Sequence, residues 1–245
     1  MLLNIATLIL ALAAHRASAH ATMFGVSVNG KDAGDFKQFI RSPATNDPVR
    51  DLKSPNIVCN TQGGKAAPSF VKAAAGDKLS FRWFHYNPAD PADYVLDPSH
   101  KGAILTYIAP YTTGNGAGPI WSKLAEEGFE GGKWATIKMI DNKGEVGFTL
   151  PKALAAGKYL IRQELLALHM ADFAGNDPAH PGRGAESYPS CVQVEVSDKG
   201  AGDAIPDQDF DFNTGYKYED KGLHFNIYIP FDKYTPPGPR PWTGK

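Results

Sequence analysis

Lys78-Leu79-Ser80-Phe81-Arg82-Trp83 places Leu79, Phe81 and Trp83 on one side of an extended chain and Lys78, Ser80 and Arg82 on the other. Successive side chains of a strand point to opposite faces, so this alternation predicts a strand with one buried face and one wet face. The turn residues Ala75-Gly76-Asp77 lead into it. Short runs of the same kind recur on both sides. Phe24 to Val28, Ala103 to Ile108, Tyr159 to Leu165 and Val192 to Val196 read as strands. Trp134 to Ile140 and Glu145 to Leu150 flank Asp141-Asn142-Lys143-Gly144, a hairpin signal. Leu223 to Ile229 reads as a last strand before the Pro-rich tail Tyr234–Trp242. Residues 30–66, 87–101, 110–131 and 170–187 read as loops, with short helical turns over 121–127 and 151–157. Many short strands and no βαβ rhythm predict an all-β fold, an antiparallel immunoglobulin-like β-sandwich with long loops and a few short helical turns.

The chain opens with a nearly unbroken apolar run, Leu2 to Ala14, followed by Ala17-Ser18-Ala19. The run is too short to span a bilayer and the small residues resemble a cleavage site, so residues 1–19 read as a signal peptide. The bland alternative is a buried N-terminal helix. Residues 20–245 then read as a single domain, secreted and extracellular. Basic and acidic residues number 25 and 26, a net charge of −1. Such balance argues against nucleic acid or an anionic membrane as partner and suits a neutral glycan. The chain holds 2 cysteines, Cys59 and Cys191; outside the cell that even count predicts one disulfide, with two buried thiols as the alternative.

Cleavage after Ala19 makes His20 the first residue. Its free α-amine and its Nδ1 are separated only by Cα, Cβ and Cγ, so the two nitrogens can close a six-membered chelate ring on a metal. His100 and His169 form no contiguous metal motif with it, and a mid-chain histidine is more often structural than a ligand. No G-x-S-x-G, P-loop or N-glycosylation acceptor pattern occurs.

Several blocks occur in a fixed order. They are Ile40-Arg41-x-Pro43 with Asn46-Asp47-Pro48-Val49, Asn56-Ile57-Val58-Cys59-Asn60, and Ser99-His100-Lys101-Gly102. Gly157-Lys158-Tyr159-Leu160-Ile161-Arg162-x-Glu164, Ala167-Leu168-His169 and Tyr188-Pro189-x-Cys191 follow, then Asn226-Ile227-Tyr228 and Tyr234-x-x-Pro237-Gly238-Pro239. On these blocks the sequence, from His20 onward, resembles the fungal lytic polysaccharide monooxygenases of auxiliary-activity family nine.

The resemblance implies one copper ion, held by the amine and a ring nitrogen of His20 and by His100, with Tyr188 on the copper axis. Such nitrogen donors suit Cu(II). It implies that His169 hydrogen-bonds oxygen species at the metal. Glu186 departs from the family, which has glutamine there; an ionised carboxylate accepts hydrogen bonds but cannot donate them. The alternative for Glu186 is a solvated loop acid. Tyr234 matches a tyrosine that packs against sugar rings on a flat face, the alternative being an exposed tyrosine without a partner, and Tyr228 reads as core.

The implied activity is copper-dependent oxidative cleavage of β-linked polysaccharide, cellulose or hemicellulose. An external electron donor and a polysaccharide surface are the partners of a monomeric protein. A non-catalytic secreted sandwich that binds copper or glycan, its oxygen chemistry dulled by Glu186, is the second reading.

Overall fold

The computed structural model describes residues 20–244; the expected signal peptide, residues 1–19, lies outside the described residues. The strands run β1 Thr22–Val28, β2 Lys31–Asp32, β3 Val71–Ala73, β4 Lys78–Phe84, β5 Gly102–Pro110 and β6 Ser122–Glu127. They continue with β7 Phe129–Glu130, β8 Lys133–Trp134, β9 Glu145–Thr149, β10 Gly157–Ala167 and β11 Glu186–Val196. Three short helices, α1 Asn56–Cys59, α2 Ala135–Asp141 and α3 Phe212–Gly215, join a single 3-10 turn at Phe36–Gln38.

One sheet has the order β2-β1-β4-β9 and the second the order β3-β11-β10-β5-β6, with β7-β8 as a separate ribbon. They form the expected sandwich. All pairings between adjacent named strands are antiparallel except β3 with β11, which is parallel.

Burial explains which strands alternate. In β4, Leu79, Phe81 and Trp83 enter the core between the sheets, against Ile108, Ile161, Leu165 and Val192. The strands β10 and β5 have no wet face. Leu160 and Leu166, with Leu105 and Tyr107, point away from the first core into a second one, beneath an outer layer of loops and short helices. That layer carries α1 and α3, whose Ile57, Val58 and Phe212 close the second core. Cys59 of α1 bonds Cys191 of β11, Cα to Cα 5.3 Å, and fastens the outer layer to the sheet.

Three local readings are corrected. Residues 135–141 are helical, because Ala135 and Met139 lie one helical turn apart and both enter the first core. Asp141-Asn142-Lys143-Gly144 is therefore a helix stop, with Lys143 and Gly144 at φ 55° and 86° and Gly144 N–H donating to Met139 O at 2.9 Å. The helical turn expected at 121–127 is strand β6, paired with β5. Leu223 to Ile229 forms turns and pairs with no strand. Its amides bond locally instead, as in His224 N–H to Asp220 O, and Phe225 N–H reaches Ala171 O.

Candidate metal centre

Strand register assembles the site. Gly102, the first residue of β5, pairs with Ala167, the last of β10, and Ala167 pairs on its other side with Glu186, the first of β11. The three central strands thus end along one edge. His100 lies just before β5 and His169 just after β10, so both arrive beside Glu186. Their rings lie 4.2 Å apart, centroid to centroid. The turn holding His100 is fixed by His100 N–H to Asp97 O, and Leu168 N–H donates to Lys101 O. Gly102 must be glycine: a Cβ there would sit 1.7 Å from Leu166 O.

Tyr188 lies two residues beyond Glu186 on the same strand, so both point to the same face. His20 lies two residues before Thr22, the first residue of β1, which pairs with Phe84 at the end of β4. The His20 ring lies 5.8 Å from Tyr188 and 6.5 Å from His100, and His100 lies 6.1 Å from Tyr188. Three of the four sandwich strands involved, β5, β10 and β11, come from one sheet and β1 from the other, so the site closes across the end of the sandwich.

Glu186 is the hub. Its side chain is 3 % exposed. Oε1 accepts from the Arg50 guanidinium, and Oε2 accepts from the Tyr188 hydroxyl at 2.6 Å. Oε2 also lies 3.5 Å from His100 Nε2 and 3.9 Å from His169 Nε2. Burial pushes this carboxyl up, but hydrogen bonds from His100, Tyr188 and Arg50 outweigh it and hold the group far below the usual carboxylate range. The carboxylate is ionised. Burial and then the Glu186 charge drive the Tyr188 phenol far above its ordinary value, so it stays protonated. Burial lowers His169, and neighbouring His100 adds to the shift. His169 Nδ1 is buried and has no hydrogen-bond partner.

His20 Nδ1 lies 3.2 Å from Asp47 Oδ1, and burial lowers this histidine too. His100 Nδ1 lies 3.2 Å from Ser99 Oγ, which leaves Nε2 facing the centre. His20, His100, His169, Tyr188 and Glu186 therefore converge. Glu186 is no solvated loop acid, because it is the buried first residue of β11.

Tyr234 does not join them. It is 4 % exposed in the second core, packed on Trp134 and Phe225, and its hydroxyl donates to Gly222 O at 2.7 Å. The expectation that it presents its face to sugar rings is thereby corrected. Tyr228, read as core, is the exposed ring at 67 %, and its hydroxyl donates to His169 O at 3.0 Å. The absence of a partner strand frees Tyr228 to turn outward. Arg50 was missed as well. Its signal is the pairing of its neighbour Val49 with Ser187, which only the folded chain discloses.

A family model described as Auxiliary Activity family 9 (formerly GH61) matches residues 20–234. The AA9 family lytic polysaccharide monooxygenase A of Collariella virescens is 50 % identical over 239 residues, covering 96 % of this chain and 85 % of that protein. The protein of the same description from Aspergillus clavatus is 40 % identical; the match covers 97 % of this chain but 64 % of that longer relative. The solved structure described as CvAA9A superposes with a TM-score of 0.87 at 49 % identity, covering 92 % of this chain and 99 % of the other. A structure described as a cellulose-active polysaccharide monooxygenase from M. thermophila gives 0.72 at 25 % identity, covering 92 % and 100 %.

Proposed function

The chain belongs to Auxiliary Activity family 9, and from that premise we propose that it is a secreted, copper-dependent lytic polysaccharide monooxygenase acting on cellulose or hemicellulose. The observation that carries this reading is the convergence of His20, His100 and Tyr188 at one end of the sandwich. Residues 1–19 act as a leader whose removal frees the His20 amine, and residues 20–245 act as one monomeric domain.

The donor set suits copper. His20 offers an amine and Nδ1, His100 offers Nε2, and neutral nitrogen donors favour Cu(II) over other divalent ions of the first transition row. Both the amine and Nδ1 must be unprotonated to bind, and the lowered His20 imidazole helps one of them. A bound copper supplies one-electron redox chemistry toward oxygen or hydrogen peroxide, with electrons from an external donor.

The protein's own groups divide the remaining work. Tyr188 donates its proton to Glu186 Oε2, and its ring lies 5.8 Å from that of His20 and 6.1 Å from that of His100. Glu186, ionised, accepts hydrogen bonds and donates none. Of these groups, His169, whose Nε2 faces the same space, would be the one able to hold a proton for donation. Tyr228 stands exposed against the His169 backbone, and its ring offers an apolar face to a pyranose beside the centre.

The test is incubation of the mature protein with copper, a reductant and a panel of glucans and xylans. Oxidised oligosaccharides that depend on reductant and vanish with chelator support the reading. Their absence across the panel, from protein with an intact N-terminal His20, overturns it.

A further inference from the structure

We propose that Arg50 is a positioning residue that holds Glu186 off the metal and thereby decides which of two overlapping donor sets the chain uses. The proposal rests on the copper reading and deepens it.

The two sets share His100. One is His20 with His100, all nitrogen. The other is His100, His169 and Glu186, whose candidate ligand atoms lie within 4.8 Å of one another. Two imidazoles and a carboxylate form a donor set suited to zinc and to other divalent ions, whereas the all-nitrogen set favours copper. A glutamine at position 186 would offer only a weak neutral oxygen. The glutamate offers a charged one, 3.5 Å and 3.9 Å from the two histidine Nε2 atoms. The second set is therefore a liability peculiar to this carboxylate.

Arg50 answers it by geometry. Both carboxylate oxygens are committed, Oε1 to the guanidinium and Oε2 to the Tyr188 hydroxyl. One guanidinium nitrogen holds Oε1 while the Tyr188 hydroxyl holds Oε2, so the two donors together fix the orientation of the carboxylate. The arginine is itself anchored. Its neighbour Val49 exchanges two backbone hydrogen bonds with Ser187, at 2.7 and 3.1 Å, so residue 50 is carried alongside the start of β11. The Arg50 side chain is 44 % exposed, so its removal opens no core.

The experiment uses mature protein beginning at His20, in wild-type form and as Arg50→Ala, Arg50→Lys and Arg50→Ala/Glu186→Gln. Each is loaded with Cu(II) for electron paramagnetic resonance and titrated with zinc in competition. Arg50→Ala is expected to gain an oxygen donor, with a larger parallel g value and a smaller copper hyperfine splitting, and to lose copper-over-zinc preference by about tenfold. Arg50→Lys falls between, and the double variant returns to the wild-type spectrum and preference. An Arg50→Ala protein with the wild-type spectrum and zinc affinity overturns the proposal. So does a shift that persists in the double variant, since Arg50 would then act other than through Glu186. A wild-type protein whose copper spectrum lacks nitrogen hyperfine structure overturns the copper reading itself, a result told apart from the others by the wild-type sample alone.

Discussion

The Tyr188 hydroxyl donates to Glu186 Oε2 at 2.6 Å, a bond between residues two apart on one strand face, both sealed from solvent. A phenol aimed at an ionised, buried carboxylate has a fixed rotor. Its proton points at Oε2, the same oxygen that lies 3.5 Å from His100 Nε2 and 3.9 Å from His169 Nε2. The bond also relieves part of the cost of burying that charge.

Tyr188→Phe leaves Glu186 with one donor fewer in a site that excludes water. Hydrogen bonds to charged groups contribute about 1.5–3 kcal/mol, so the metal-free variant should lose that much stability in urea unfolding at neutral pH. A loss below about 0.5 kcal/mol would mean the carboxylate is held well enough by Arg50 and the histidines alone.

Tyr228 and Tyr234 should respond in opposite ways. Tyr234→Ala empties a ring-shaped space beside Trp134 and Phe225 and should cost about 3–5 kcal/mol of stability. Tyr228→Ala removes an exposed ring and should leave stability within about 0.5 kcal/mol while weakening adsorption to insoluble glucan. Thermal unfolding and pull-down on cellulose read both. Unchanged adsorption of folded Tyr228→Ala would remove Tyr228 from the binding face.

The contrast between those tyrosines shows where reading the sequence succeeds. Leu79, Phe81 and Trp83 were legible because one face of β4 is buried and one is wet, and periodicity carries that difference. The segment 135–141 was not, because Ala135, Ile137 and Met139 satisfy a strand period as well as a helical one. Only the packing of Met139 into the core decides between them. Histidines 20 and 100 were legible through the chemistry of an N-terminal histidine and the ordered blocks. Arg50 was not, since its role depends on the register of Val49 with Ser187, a residue of another element 138 positions further along the chain. Which of two tyrosines near the C-terminus faces inward is decided by Trp134, a residue far away in the chain, and no local pattern encodes it.

The Cys59–Cys191 bridge closes a span of 132 residues. In the chain-entropy model so long a loop gives roughly 5 kcal/mol as an upper figure, with about 2–5 kcal/mol typical when such a bond is removed. Cys59→Ser/Cys191→Ser should lose stability in that range. Because Cys191 sits three residues from Tyr188, copper affinity should fall as well. Denaturation with and without reductant checks the first, and calorimetric copper titration the second. Unchanged stability on reduction would mean that α1 is held by the Arg162 bonds to Ile57 O and Val58 O, at 2.8 and 2.6 Å, without help from the bridge.

Asp93 sets the acid behaviour of the loop that leaves β4. Its carboxylate accepts from His85 Nδ1 at 2.6 Å and from the backbone amides of Tyr86, Asn87 and Tyr94 at 3.1, 2.6 and 2.8 Å. Burial pushes the group up, but the Asn87 amide, His85 and the Tyr94 amide outweigh it and hold the carboxyl below its ordinary value. The sign follows. The unfolded chain takes up a proton at about pH 3.9 and the folded chain only below that. The stabilisation is therefore complete above the unfolded value and drains away as pH falls through the folded one. Asp93→Asn turns an N–H toward a backbone N–H and should cost about 1–3 kcal/mol at neutral pH. The gap between variant and wild type should shrink in acid, as the wild type loses the charge that the variant never had. Urea unfolding at a series of pH values from neutral to about 3, with hydrogen exchange of the Asn87 amide as the local reporter, checks this. A gap that stays constant across the series would show that Asp93 is felt as a shape and not as a charge.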